Sequence, residues 1–136
     1  MPAAPPAAPP AAPKSALPER RAAEARGRDA EARVAARLQA DGWAILAQRW
    51  RSAAGEIDLI AERAGLLAFV EVKARPRLAE AAFALGPRQQ ARLLAAAEAW
   101  IAAHPGHGEG GIRFDVVLVD AEGRMRRIAD ALRAGD

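Results

Sequence analysis

A carboxylate and an amine stand two residues apart at the end of an apolar run, Phe69-Val70-Glu71-Val72-Lys73. Lysine is rare in this chain: of 20 basic residues, all but Lys14 and Lys73 are arginines. Arginine keeps its proton in a protein, whereas a lysine amine can be desolvated, shifted in pKa and used in proton transfer. A lysine retained at a strand end beside a glutamate therefore marks a place for chemistry. A second acidic pair lies upstream in Gly55-Glu56-Ile57-Asp58. Strand side chains alternate faces, so Glu56 and Asp58 share one face, and Glu71 and Lys73 share one face of the next strand. A hairpin turning about Ala64-Gly65 sets Asp58 opposite Glu71, with Cβ atoms roughly 4.5–5.5 Å apart.

Two carboxylates that close, near apolar surface, repel unless a cation sits between them. Mg²⁺ suits such a pair, with Mn²⁺ as a substitute, because it takes one or two carboxylates and keeps several waters. The backbone carbonyl of Val72 is a further oxygen donor. Lys73 then stands beside the attacking water, able to orient it or take its proton. A Glu-x-Lys alone is commonplace, and charged residues at strand ends ordinarily face solvent. The joint pattern carries the reading: Gly55-Glu56-x-Asp58, an apolar hairpin, then Glu71-x-Lys73, with Ile57, Leu59, Val70 and Val72 on the opposite faces.

The elements that must position these groups follow from periodicity and punctuation. A helix is predicted from Pro18 to about Ala40, closed by Asp41-Gly42. A strand from Trp43 to Trp50 and a loop over residues 51–55 come next. Residues 56–61 and 66–73 are two apolar strands joined by Glu62-Arg63-Ala64-Gly65, a hairpin signal. A mobile connection is expected over residues 75–86. A second helix runs from near Pro87 to just before His104. Ile112 to Asp120 is a strand buried on both faces, and a short strand closes the order around Met125 to Ile128. Helix, three strands, helix, two strands predicts an α/β fold, a mixed central β-sheet flanked by helices.

Each helix carries one polar residue in its apolar stripe. Glu31 falls among Val34, Ala35 and Leu38, where a carboxylate needs a partner. Pointed inward, it would bind the metal directly or through water; at an edge, it would reach solvent or pair with an arginine. Gln90 falls among Leu93, Leu94, Ala97, Trp100 and Ile101, where its amide would hydrogen-bond a phosphate or a metal-bound water; the alternative is a helix-start glutamine half in solvent. Arg49, Arg51, Arg75, Arg77 and Arg88 lie near the ends of the elements that build the site and are candidate phosphate contacts. The alternative for them is solvated loop charge. His104 and His107 lack a spaced third ligand and read as surface residues.

Composition narrows the class. The chain has 136 residues, a formal net charge of +3 and no cysteine, which excludes disulfides and thiolate metal sites. Its sequence pI near 10.5 mildly favours a polyanionic partner. Residues 2–13 are only proline and alanine, so residues 1–16 are expected to be a disordered tail and 17–136 a single domain. That tail has no secretory pattern, and no apolar run reaches the roughly 18 residues of a membrane span. A cytoplasmic protein without membrane contact is the expectation.

Gly55-Glu56-Ile57-Asp58-Leu59-Ile60, Phe69-Val70-Glu71-Val72-Lys73 and Arg113-Phe114-Asp115-Val116-Val117 together resemble the YraN family of bacterial proteins. These are predicted endonucleases distantly similar to archaeal Holliday junction resolvases. The resemblance spans roughly residues 25–130. It implies a restriction-endonuclease-like fold of the PD-(D/E)xK type, with Asp58, Glu71 and Lys73 as the catalytic set. Glu31 is then the helix-borne acid, and Gln90 matches the glutamine at the start of the family's second helix. The implied activity is Mg²⁺-dependent cleavage of DNA, including branched or structured DNA. The rival readings are a catalytically inactive nucleic-acid-binding accessory protein and a protein-interaction adaptor. Resolvase-like nucleases are often two-fold dimers that cut two strands symmetrically, so a homodimer fits the resemblance. Two departures stand out: Ala30 replaces a glycine before Glu31, and Gln89 replaces a lysine.

Overall fold

The structure is a computed structural model, and it describes residues 16–77 and 85–129. The expected tail, apart from residue 16, and most of the connection before the second helix lie outside the described residues. Helix α1 spans Ala16–Ala40, strand β1 Ala44–Ser52, β2 Gly55–Arg63 and β3 Leu66–Ala74. Helix α2 then spans Pro87–Ala103, β4 Gly111–Val119 and β5 Met125–Ile128. Pro18 sits inside the first turn of α1 rather than at its first residue. This is tolerated because first-turn amides have no helical acceptor. The loop expected over 51–55 shrinks to a tight turn, because Ser52 and Gly55 pair directly at its neck. The Ser52 hydroxyl fastens this turn, donating to Gly55 O at 3.2 Å and accepting from Ala54 N at 3.1 Å.

The five strands lie in the order β1-β2-β3-β4-β5. All neighbours are antiparallel except β3 and β4, which run parallel with α2 as the crossover. A parallel pair requires such a connection, and it places α2 on one face of the sheet. The faces carry separate cores. On the α1 face, Val34, Ala35 and Leu38 pack on Leu59, Ala61, Ala68, Val70, Val117 and Val119. On the α2 face, Leu93, Ala96, Ala97 and Trp100 pack on Ile57, Ile60, Phe69, Phe114, Val116 and Leu118. The expectation that β4 is buried on both faces holds, since its alternate residues feed both cores. One strand face differs from expectation: Ile57 packs with the α2 core, not with Leu59 on the α1 core. The α/β class and the element order agree with a restriction-endonuclease-like arrangement.

Embedded in β4 is Asp115, fully buried. Arg113 Nε and Nη2 reach its two carboxylate oxygens at 2.9 and 3.0 Å, and Arg127 clamps it from β5 through Nε at 2.9 Å. The guanidinium groups of Arg113, Arg127 and Arg63 also lie over the Trp43 ring, 5.6, 5.2 and 4.8 Å from its centroid. This cluster ties the start of β1 to the β4–β5 edge, and it explains the charged residues around an otherwise apolar strand.

Candidate metal and nucleic-acid site

The β2–β3 ladder runs from Arg63↔Leu66 to Leu59↔Val70 and stops there. Beyond that point β2 continues along β1 to Gly55, while β3 continues along β4 to Ala74. The strands therefore fork. One more step of the same register brings Asp58 to Glu71, as the hairpin spacing predicts. At the fork the Asp58 side chain takes the role of the missing strand partner, its Oδ2 accepting the Val72 amide at 2.8 Å. Val72 thus enters the site through its N–H.

Glu71 and Lys73 lie on the α2 side of β3, and one residue of α2 meets both. Gln89 Nε2 donates to Glu71 Oε1 at 2.9 Å, and Gln89 Oε1 accepts from Lys73 Nζ at 3.4 Å. Gln90, expected to reach into the site, instead donates Nε2 to the Leu85 carbonyl at 2.6 Å and closes the start of its own helix. A cavity of about 240 Å³ opens here, lined by Glu56, Asp58, Glu71, Gln89, Arg92 and Leu93. Helix α2 approaches this closely because Gly55 has no side chain. Its φ is +151°, and a Cβ there would sit 3.2 Å from the Arg92 carbonyl oxygen.

From the opposite face α1 delivers Glu31, half-buried and within hydrogen-bonding reach of Asp58. Arg49 Nε holds Glu31 Oε2 at 3.3 Å. Arg49 does so from a left-handed backbone conformation, φ 51°. Both alternatives for Glu31 are therefore realised together, an inward position and an arginine partner. Arg51 Nε pairs with Glu56 Oε2 at 3.4 Å. Arg75 Nη1 donates to the Ala74 carbonyl at 2.8 Å. Arg77 and Arg88 are exposed, and among the described residues no hydrogen bond or ion pair engages them. Of the five arginines proposed from sequence as phosphate contacts, Arg49 and Arg51 thus brace the site's own carboxylates.

The electrostatics of the cleft are those of acids crowded out of water. Burial, then the neighbouring Asp58 carboxylate, pushes Glu71 up to about 8. Burial also raises Asp58, against the pull of the Val72 amide and Lys73. Glu31 is raised by burial and by Asp58. Three acids all displaced towards the protonated form signal a site short of positive charge.

With this geometry in view, comparison with known proteins gives a single answer. Residues 30–119 match the uncharacterised protein family UPF0102. The chain belongs to UPF0102. This is the family of the YraN proteins that the motifs resemble. A UPF0102 protein of Granulibacter bethesdensis is 59% identical over 107 residues, covering 79% of this chain and 68% of the relative. One from Bradyrhizobium sp. strain ORS 278 is 54% identical over 121 residues, covering 89% and 86%. One from Rhodopseudomonas palustris strain BisB18 is 52% identical over 120 residues, covering 88% and 89%. The matched UPF0102 region contains Glu31, Asp58, Glu71, Lys73 and Gln89, so the cleft lies inside the shared domain.

Does this UPF0102 cleft suit a divalent cation? Among the described residues, no group of three or more Asp, Glu, His or Cys side chains is arranged as a ready-made cage. The carboxylates form a chain instead: Glu31 reaches Asp58, and Asp58 reaches Glu71. The donors are hard oxygens, they are crowded, and Asp58 and Glu71 are two in number. That is the donor set Mg²⁺ takes when it keeps most of its waters. Arg92 is the site residue the sequence reading did not name, and Gln89, noted there only as a departure from the family's lysine, was not given a place in the site. Their signal was helical spacing: residues 89, 92, 93 and 96 fall on one face of α2, turned about one residue from the stripe drawn through Gln90.

Proposed function

We propose that this UPF0102 protein is a metal-dependent endonuclease that hydrolyses phosphodiester bonds in DNA, with branched or structured DNA as the substrate class to test first. The supporting observation is the fork itself. Neighbouring strands bring Asp58, Glu71 and Lys73 to one cleft, and the acids there are displaced in the direction a cation would relieve. Asp58 and Glu71 would hold Mg²⁺ or Mn²⁺, with Glu31 assisting from α1. When bound, such an ion supplies Lewis-acid stabilisation of charge on the phosphoryl oxygens.

The chain's own residues have separable tasks. Lys73 Nζ, steadied by Gln89, orients the attacking water or, as the neutral amine, receives its proton as the new P–O bond forms, while the bond to the leaving oxygen breaks and that oxygen takes a proton from solvent. Gln89 keeps Glu71 turned towards the cleft, where it also meets Asp58. The Val72 amide locks the Asp58 rotamer. Arg92, which lines the cleft, and the exposed Arg88 on the same helix would meet phosphates flanking the scissile one.

The test is the purified protein with Mg²⁺ or Mn²⁺ on four-way, flapped, single-stranded and plain duplex substrates. Cleavage that Lys73→Ala and Asp58→Asn abolish supports the proposal. No cleavage of any substrate, or parental cleavage by both variants, sinks it. Salt-sensitive DNA binding that survives loss of the carboxylates would identify the inactive accessory protein instead.

A further inference from the structure

A second cavity, of about 320 Å³, opens on the α1 side of the sheet. Its charged lining is Arg26, Asp29 and Arg33 from α1, Arg75 just past β3, and Asp120 at the β4–β5 turn, where Gly123 completes the wall. Pockets of this size hold small ligands or single groups of larger ones.

The charges do not cancel internally. Asp120 is already committed: Oδ1 accepts the amides of Glu122 and Arg124 at 2.9 and 2.8 Å, and Oδ2 accepts Arg124 Nε at 2.8 Å. Asp29 stands one helical turn from both Arg26 and Arg33. Even so, among the described residues no ion pair or hydrogen bond joins it to either. Arg75 spends one nitrogen on the neighbouring Ala74 carbonyl and keeps its other donors. Three guanidinium groups thus border one cavity against a single uncommitted carboxylate, Asp29, and among the described residues none of the three is ion-paired. The Arg33 guanidinium lies close against Gly123, whose φ of +83° suits a glycine: a Cβ there would meet an η nitrogen of Arg33.

The cavity also adjoins the cleft along two elements. Ala30 lines the cavity and the next residue, Glu31, reaches Asp58; Ala74 lines it and the preceding residue, Lys73, meets Gln89. From this we infer that the cavity is a phosphate subsite, which takes a backbone phosphate of the nucleic-acid strand on the side of β3 away from the scissile bond. The inference rests on the nuclease reading for its ligand, but the subsite is defined by its own residues. Guanidinium forks match phosphate oxygens in pairs, which is the geometry a subsite of this kind uses.

The test is anisotropy of a labelled single-stranded oligonucleotide and a labelled four-way junction, titrated without divalent ions across a salt series. Arg26→Gln, Arg33→Gln and the double variant are compared with Arg126→Ala, a charge removed from the exposed edge strand β5. Both glutamine changes are on the solvent-exposed side of a helix and suit it, and circular dichroism verifies folding. In parallel, inorganic phosphate and a deoxynucleoside monophosphate are assayed by thermal shift. The expected result is a Kd raised about tenfold in the double variant, with little change in Arg126→Ala. On single strands the log–log salt slope of the double variant should be shallower by roughly 0.7 for each phosphate it no longer neutralises. Parental affinity and slope in the double variant overturn the subsite while leaving the nuclease reading standing. A thermal shift by inorganic phosphate or the nucleotide that Arg33→Gln removes, without oligonucleotide binding, keeps the phosphate subsite and sinks the nuclease reading. Absence of both signals overturns the two together.

Discussion

The crowded acids make a measurable claim about pH. Glu71 rises in the fold from an ordinary value of 4.5 to about 8, chiefly through burial and Asp58. A carboxyl raised by folding favours the folded state most when it is protonated in both states, below the unfolded value. That contribution is lost as pH rises from 4.5 through about 8, and is constant above. At about 1.4 kcal/mol per tenfold, the full displacement corresponds to on the order of 4–5 kcal/mol. Water entry and rotamer relaxation in a half-buried cleft reduce this to about 2 kcal/mol. Asp58 and Glu31 are displaced the same way, so they reinforce the trend rather than offset it. For a domain of this size the loss is roughly 6–10 °C in Tm between pH 5.5 and pH 9 without divalent ions. Glu71→Gln should be more stable than the parent at pH 9 and show a flatter profile. Millimolar Mg²⁺ should recover most of the alkaline loss in the parent and little of it in Asp58→Asn, since a ligand of the folded state stabilises by mass action. Calorimetry over that pH range decides it. A parental Tm that does not fall with pH, or a Glu71→Gln variant with the parental slope, refutes the reasoning.

Gln89→Ala should lower any cleavage rate by about tenfold while leaving nucleic-acid affinity within twofold, because it frees Glu71 and Lys73 without removing a charge; single-turnover kinetics separate the two effects. Gln89→Lys should bring Glu71 back towards the ordinary carboxylate range, measurable by NMR titration, since a cation replaces an amide at 2.9 Å from its oxygen. Asp115→Ala strands Arg113 and Arg127 around a buried site and should cost about 3–5 kcal/mol in urea unfolding. Phe69→Ala, which removes a fully buried ring stacked 5.4 Å from Phe114, should cost a similar ~3–5 kcal/mol.

Much of this cleft was legible before any coordinates. The turn at Ala64-Gly65 set the hairpin register, and strand alternation then put Glu71 and Lys73 on one face and aimed Asp58 at Glu71. Glu31 stood out because a carboxylate inside an apolar helical stripe must meet something. Gln90 was misplaced for a physical reason. One residue of helix is a rotation of about 100°, and the phase of α2 depends on how close its backbone comes to Gly55, an approach between residues far apart in sequence. The arginines were harder still, since their long side chains reach whichever carboxylate folding brings near. Nothing local marks Arg49 as the partner of Glu31. Asp115 was quoted among the motif residues but not foreseen as a buried hub, because its second arginine, Arg127, arrives from β5, whose pairing opposite Val117 nothing local in β4 marks.

The parallel seam between β3 and β4 shapes how this molecule is born. A ribosome delivers α1 and then the β1–β2–β3 meander, whose contacts are local in sequence. The inner edge of β3, rich in leucine, phenylalanine and valine, then waits for residues 111–119 to emerge after the whole of α2. During that interval the nascent chain shows an unclosed apolar border to the cell, the kind of surface that recruits other strands. Translation speed across α2, and any chaperone able to shield that border, would then govern how much of the protein reaches its native form.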